Sequence, residues 1–200
     1  MKKQTLPNMI LRRIRGKGVG TVHITQGFLD LGSRAAVDQA LSRLASKGSI
    51  RRIGRGIYDY PKVSSLIGVL SPDPDKVAQA CAKKTGSFLQ VSGARAANAL
   101  GLSTQVPARI VYLTNGNSRR IAVGNQIIEL KHAAPKNLAI ADKPIGAVVQ
   151  ALRHIGRENI NLETVQKLKT SLSGGDKAEL LKHIDSVPNW MRAVIANITS

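Results

Sequence analysis

The strongest constraint on the fold is a helical hydrophobic repeat that runs directly into a short β-hairpin. In the stretch SRAAVDQALSRLASKG, the large apolar residues lie on one helical stripe, which should face a core. Ser33 is a suitable N-cap before this helix, and Gly48 is a suitable stop after it. The apolar stripe consists of Val37, Ala40, Leu41 and Leu44.

The residues that follow, SIRRIGRGIYDYP, predict two short strands joined by a tight turn. Residues 49–53 predict the first strand, the GRG at 54–56 predicts the turn, and residues 57–60 predict the return strand. Ile50 and Ile53 do not alternate as they would in a regular strand, so we expect a bulge or an early strand end there.

Two further helices are predicted upstream. Thr5 followed by Pro7 is typical of a helix start, and Thr25 is a suitable cap for a short second helix. Three helices followed by a two-stranded hairpin is the order of a winged helix-turn-helix. Residues 1–62 are therefore predicted to form a winged-helix DNA-binding domain.

The rest of the chain predicts a second domain that contains both strands and helices. Residues 62–72 read as a linker, and residues 72–200 contain three β-rich runs, ARIVYLT, RRIAV and QIIELKH. Asn-Gly at 115–116 and Gly-Asn at 124–125 separate these runs, which favours hairpin turns. We predict an antiparallel three-stranded meander with flanking helices, one of them capped at Asp73, and an overall α+β fold class.

The charge balance narrows the function. Thirty Lys and Arg against twelve Asp and Glu give a net charge of +18 and a pI near 10.7. Residues 1–62 alone hold thirteen basic residues against three acidic ones. A folded protein of this kind most often binds nucleic acid. A basic surface that serves solubility or an acidic protein partner is the alternative.

We expect the third helix and the hairpin to contact nucleic acid. The outward helix face carries small residues that permit close approach, and it carries Gln39, which can pair with adenine. An ordinary solvated helix face is the alternative, but the arginine-rich hairpin directly after the helix favours DNA contact. The candidate DNA-binding residues are Ser33, Arg34, Gln39, Ser42, Arg43, Lys47, Arg51, Arg52 and Arg55.

Three further side chains in the predicted third helix and hairpin each have two possible interpretations. Asp38 could accept a hydrogen bond from cytosine, or it could form a salt bridge with Arg34 four residues earlier. Tyr58 and Tyr60 share a strand face, where packing against the helices is favoured over base stacking.

The sequence argues against an enzyme. Glu129-Leu130-Lys131 has the E-x-K pattern of a metal-dependent nuclease, but no acidic residue lies between Asp75 and Glu129 to complete a metal site. The four histidines are scattered, and neither a P-loop nor a G-x-S-x-G motif occurs. Cys81 is alone, so no disulfide forms within the chain. We expect no catalytic residue, no cofactor and no metal.

The sequence also predicts where the protein resides. The N-terminal MKK resembles the start of a signal peptide, but Arg12 and Arg13 stand where an apolar stretch is required. No apolar run approaches the roughly 20 residues that span a bilayer. We expect a soluble, cytoplasmic protein with no membrane partner.

The stretch from Phe28 to Pro61, FLDLGSRAAVDQALSRLASKGSIRRIGRGIYDYP, resembles the winged-helix domain of AbiEi-type antitoxins from bacterial type IV toxin–antitoxin (abortive infection) systems. SGARAANALGLSTQVPARIVYLTNG, IELKHAAPKNL and VPNWM extend the resemblance over most of the chain. It implies a transcriptional regulator that binds inverted repeats in its own promoter and represses its operon. The resemblance assigns Arg34, Gln39, Ser42 and Arg43 to the groove, and Arg51, Arg52 and Arg55 to the wing.

The resemblance also implies partners. The C-terminal domain would counter a nucleotidyltransferase-like toxin encoded nearby, without obligatory direct binding. We expect two copies on double-stranded DNA, because one short helix reads too few bases for useful specificity. The alternative is an RNA-binding or toxin-neutralising module that does not bind the promoter.

Overall fold

The computed structural model describes residues 5–138, 140, 143 and 145–200, and it has a mixed α+β fold, as predicted. Contacts within the chain divide it into two compact units. Unit 1 contains the residues up to Gly86 together with Arg120–Ile128, and unit 2 contains Ser87–Arg119 together with Glu129–Ser200. The first boundary between the two units therefore lies between Gly86 and Ser87, which is after the predicted linker at residues 62–72.

The predicted first and third helices and the hairpin strands are present, whereas the strands Thr21–Ile24, Val63–Ser64, Gly68–Val69 and Leu89–Val91 were not predicted. In the described residues, the α-helices are α1 (Leu6–Gly16), α2 (Arg34–Ser46), α3 (Pro74–Thr85), α4 (Gly93–Ala99), α5 (Gly146–Ile155), α6 (Leu162–Ser171), α7 (Gly174–Lys182) and α8 (Asn189–Thr199). The strands are β1 (Thr21–Ile24), β2 (Arg51–Gly54), β3 (Ile57–Tyr60), β4 (Val63–Ser64), β5 (Gly68–Val69), β6 (Leu89–Val91), β7 (Ile110–Thr114), β8 (Arg119–Val123) and β9 (Gln126–His132). None of these helices has the length and apolar character needed to cross a bilayer.

The first sheet of unit 1 is antiparallel, with the order β1-β3-β2. β2 and β3 form the predicted hairpin, and their pairing shifts between Arg52 and Gly54, which confirms the expected irregularity. Gly56 has a φ of +68° in the turn, where a side chain would be disfavoured. β1 was not predicted. Its four residues, TVHI, are too few to indicate a strand without knowledge of its partner, β3.

The core of unit 1 contains side chains from α1, α2 and this sheet. Ile10 of α1 and Leu41 of α2 are fully buried, and so is the apolar stripe predicted for α2. The second predicted helix is instead a single 3-10 turn, Thr25–Phe28, and Thr25 is its first residue, after Ile24 at the N-cap position. The turn places the Phe28 side chain in the core.

Helix α3 extends unit 1 beyond residue 62. The helix packs against β1, and Lys76 Nζ donates a hydrogen bond to the Gly20 carbonyl oxygen over 3.1 Å. Asp73 caps the helix by accepting from the backbone amide of Asp75, and Pro74 follows it, as predicted. The segment between β3 and α3 forms the small β4–β5 hairpin.

The second sheet has the order β6-β7-β9-β8, so the predicted three-stranded meander is wrong. A meander would place β8 between β7 and β9, whereas here β9 lies between β7 and β8. The Gly124-Asn125 turn joins sheet neighbours as expected, but Asn115-Gly116 does not. The Asn115 side chain instead accepts a hydrogen bond from the Phe88 amide over 2.7 Å, beside the β6–β7 pair. β7 is therefore flanked by β6 and β9.

Unit 2 is built mainly from its helices. Side chains from α5 to α8 form its largest apolar cluster, which includes Val148, Leu168, Leu180 and Ile195. Helix α4 packs closely on α5. A Cβ on Gly93 would lie only 2.6 Å from the Gln150 carbonyl oxygen, so this crossing leaves no room for a side chain there.

Candidate nucleic-acid interface

Helix α2 directs a polar face away from the core of unit 1. Its apolar stripe is buried, so Gln39, Ser42 and Arg43 are exposed on the other side of the helix. Ser33 is the N-cap, and its hydroxyl oxygen accepts a hydrogen bond from the first turn over 3.3 Å. Lys47 is exposed at the C-terminal end. The five side chains lie along one accessible helix.

The β2–β3 hairpin adds two exposed arginines. Arg52 lies in β2 opposite Tyr58, and Arg55 lies in the turn beside Gly56. Within the part of the chain that the structure describes, neither guanidinium forms an ion pair. Both positive charges are therefore available to a ligand.

A cleft of about 530 Å³ lies between α2 and the hairpin. It brings together four of the nine predicted residues, since Arg34, Ser42, Arg52 and Arg55 all line it. Gln39 and Arg43 on α2, and Ser33 and Lys47 at its two caps, lie outside the cleft. The lining is completed by Asp38, Gly56, Tyr58 and Lys84. The cleft and the outward face of α2 form one surface, which we call the α2–hairpin surface.

Arg51 has a different position from the other hairpin arginines. Its Nε and Nη2 donate to the two carboxylate oxygens of Asp59 over 2.9 and 2.6 Å. Nη2 also donates to the Leu70 carbonyl oxygen over 2.9 Å. Asp59 is only 1% exposed, so the pair is partly buried and holds β2, β3 and the following segment together. The structure thus makes Arg51 a support of the hairpin.

Each of the three carboxylates in residues 1–62 is held by an arginine. The pairs are Arg13–Asp30, Arg34–Asp38 and Arg51–Asp59, with closest distances of 2.6, 2.9 and 2.6 Å. Of the two interpretations of Asp38, the structure contains the salt bridge. Partial burial opposes ionisation of Asp38, but the hydrogen bond from Arg34 keeps the pKa of Asp38 below its usual value. In the described part of this segment the remaining basic residues form no ion pair, although the positive charge of Arg52 also helps to lower the pKa of Asp38.

Lys84 belongs to the α2–hairpin surface but not to the predicted set. Its Nζ donates to the carbonyl oxygen of Arg55, and its own carbonyl oxygen accepts from Gln26 Nε2 over 3.5 Å. Helix α3 therefore supports the hairpin turn. Lys84 follows Arg55 by 29 residues, so no local sequence pattern connects them.

The tyrosines of β3 pack against the core, as the favoured interpretation predicts. Tyr58 is 3% exposed and belongs to the unit 1 cluster, while Tyr60 is half-buried at its border. Burial raises the pKa of Tyr58, and the positive charge of Arg52 opposes that shift.

The nuclease-like E-x-K pattern of β9 is an ion-pair arrangement. Glu129 is 6% exposed, and its carboxylate oxygens lie 3.7 Å from Lys131 Nζ and 3.9 Å from Arg109 Nη1. Across residues 5–138, 140, 143 and 145–200, no group of three or more His, Cys, Asp or Glu is positioned to hold a metal ion.

Comparison with known proteins identifies a family. The profile of DUF6088, a family of unknown function, matches residues 9–180. The match begins in α1, ends in α7 and includes parts of both units. No curated protein matches the chain.

Proposed function

Because the chain belongs to the DUF6088 family of unknown function, we propose its function from its own surface: sequence-specific binding of double-stranded DNA through a winged helix-turn-helix in unit 1. The observation that carries the proposal is the α2–hairpin surface, where Arg52 and Arg55 stand unpaired beside an exposed helix face. No enzymatic step is part of the proposal.

In this proposal, α2 is the recognition helix and lies in the major groove. The helix has 13 residues and is therefore about 20 Å long. An α-helix with its side chains is about 10–12 Å in diameter, which matches the width of the major groove, about 12 Å. Ala35, Ser42 and Ser46 are small and exposed, so they allow the backbone to approach the base edges. Gln39 reads adenine, and Arg43 contacts guanine or phosphate.

The β2–β3 hairpin takes the part of the wing. Arg52 and Arg55 contact phosphates or the adjacent minor groove, and Lys84 adds a third positive charge to the same cleft. Arg34 is paired with Asp38 over 2.9 Å, so we assign it a weaker contact. Arg51 acts indirectly by holding the hairpin in place.

The biological role that fits this activity is repression. On the resemblance of residues 28–61 we propose that the chain is an AbiEi-like antitoxin, and that two copies bind an inverted repeat in the promoter of its own operon. A nucleotidyltransferase-like toxin encoded next to this gene is the expected partner. Growth arrest by that neighbouring gene, relieved when this chain is co-expressed, would support the antitoxin role.

The DNA-binding proposal is tested by fluorescence anisotropy with duplex DNA from upstream of the gene and with a shuffled duplex. We expect Arg55→Ala to weaken binding to both duplexes alike, because it removes a phosphate contact. We expect Gln39→Ala to reduce the preference for the upstream duplex by about 1–3 kcal/mol, because it removes a base contact.

Arg157→Ala is the matched control, since Arg157 is an exposed arginine of unit 2. This variant should bind both duplexes as the unmodified protein does. Unchanged binding in Arg55→Ala and Gln39→Ala would show that the surface is assigned incorrectly. Stronger competition by RNA than by duplex DNA of the same sequence would favour the RNA-binding alternative.

A further inference from the structure

Unit 1 contains a second cationic feature, a pocket of about 300 Å³ between β1 and α3. Val22, Ile24, Phe28 and Ala80 supply apolar walls. The pocket shares no lining residue with the cleft between α2 and the hairpin. Its volume lies at the lower end of the range for small-molecule sites.

Positive charge lines this pocket without a matching negative charge. Lys17, Lys76 and Lys83 all contribute to its wall, and its lining includes no Asp or Glu. In the described part of the chain, none of the three lysines forms an ion pair, and Lys76 Nζ contacts only a carbonyl oxygen, that of Gly20. An anionic group in the pocket would therefore gain charge-assisted hydrogen bonds without displacing a carboxylate.

Two aromatic rings, whose planes are tilted by 41°, contribute to the lining of the pocket. The ring centroids of His23 and Phe28 lie 5.9 Å apart, and both residues line the pocket. Burial, with help from the positive charge of Lys17, lowers the pKa of His23 to about 4, so the imidazole is neutral at pH 7. A neutral imidazole beside a phenyl ring favours an aromatic body over a compact inorganic ion.

We propose that this pocket binds a small aromatic anion, that is, a single- or double-ring body joined to a phosphate, sulfonate or carboxylate group. The ring system lies against Val22, Phe28 and Ala80, and the anionic group is held by Lys76 and Lys83. Lys17 contributes further positive charge.

The pocket also has a structural connection to the hairpin turn, and this part of the inference rests on the proposed DNA binding. Helix α3 carries Lys76 and Lys83 on the pocket and Lys84 on the carbonyl oxygen of Arg55. β1, the other wall, belongs to the same sheet as the hairpin. A ligand that fixes α3 against β1 therefore stabilises the support of the turn, and it should raise DNA affinity about fivefold.

The site is tested without DNA by titrating the protein with 1-anilinonaphthalene-8-sulfonate, a fluorescent aromatic sulfonate. We expect one molecule to bind per chain with increased fluorescence. The double variant Lys76→Gln, Lys83→Gln should weaken this binding at least about tenfold, because two charged donors are lost. Gln79→Trp should also weaken it, because Gln79 lines the pocket and a larger ring fills it.

Matched controls separate this pocket from other apolar surfaces. Lys169→Gln, Lys177→Gln removes two lysines of unit 2 and should leave the titration unchanged. Circular dichroism should show that each variant is folded. Displacement of the dye by adenosine 5′-monophosphate or by salicylate assigns a phosphate or a carboxylate ligand. No fluorescence increase, or an increase that survives both pocket variants, would overturn the site.

Duplex binding measured with and without saturating dye tests the connection to DNA. A higher affinity with dye, absent in Lys76→Gln, Lys83→Gln, supports it, and equal affinity overturns it. If the dye binds and no duplex does, the pocket stands while the proposed function fails.

Discussion

At the scale of single residues, the hairpin arginines differ by their partners and not by their residue type. Arg51 and Arg52 are neighbours, yet Arg51 is held by the buried Asp59 while Arg52 is exposed in the cleft. Asp59 is the one acidic residue of β3, directly across from Arg51 in the register. The cross-strand position of this carboxylate decides which arginine supports the fold and which can meet a ligand.

Arg51→Ala should lower the free energy of unfolding by about 3 kcal/mol, because it leaves the Asp59 carboxylate buried without its partner. Urea denaturation followed by circular dichroism measures this change. Arg55→Ala removes an exposed charge and should alter stability by no more than about 0.5 kcal/mol. Equal stability of both variants would contradict the supporting role of Arg51.

His23 should make stability depend on pH between the ordinary histidine pKa of 6.5 and about 4. Burial, then the charge of Lys17, lower the pKa of His23 to about 4, and Asp59 opposes them only in part. Its contribution is fully present above pH 6.5, the ordinary histidine value, and is lost as pH falls towards 4. Between pH 7 and 4.5 we expect a loss of about 2 kcal/mol from this group.

His23→Phe provides the comparison, since it keeps a ring against Phe28 but cannot take up a proton. Thermal unfolding across this pH range should show a flatter dependence in the variant. A slope identical to that of the unmodified protein would mean that His23 ionises freely in the folded state.

At the scale of elements, α2, α3 and the β2–β3 hairpin, which depend on neighbouring residues, were predicted correctly, whereas the strand order of the second sheet, which depends on residues far apart in the chain, was not. The capping residues predict the starts of α2 and α3, apolar spacing supports α2, and the GRG turn between two short strands predicts the β2–β3 hairpin. The order β6-β7-β9-β8 depends on contacts far apart in the chain, and Asn115-Gly116 gives a misleading turn signal. Most of the α2–hairpin surface was therefore predictable, while Lys84 and the Arg51–Asp59 pair were not.

The crossing of α4 and α5 gives a prediction for unit 2. A Cβ on Gly93 would lie 2.6 Å from both the Gln150 carbonyl oxygen and the His154 Cβ, so Gly93→Ala forces the helices apart. We expect this variant to lose about 1–3 kcal/mol of stability. Differential scanning calorimetry measures the loss, and Gly174→Ala, where no atom lies within 4 Å, is the control. A fully stable Gly93→Ala would contradict this close packing.

At the scale of the whole molecule, more than half of the net charge of +18 lies in residues 1–62, which hold thirteen basic and three acidic residues. In residues 1–62 the three acidic residues are all engaged by arginines, so the α2–hairpin surface retains its positive charge. The proposed DNA binding would release counterions from the duplex, and we therefore expect the affinity to fall steeply with salt.

The most direct test of the account is the salt dependence of duplex binding, measured by anisotropy for the unmodified protein, Arg55→Ala and Arg157→Ala. The logarithm of the binding constant should fall linearly with the logarithm of salt concentration. Arg55→Ala should flatten that slope by about one unit, and Arg157→Ala should leave it unchanged. An Arg55→Ala slope equal to that of the unmodified protein, or the absence of duplex binding at low salt, would contradict DNA recognition by this surface.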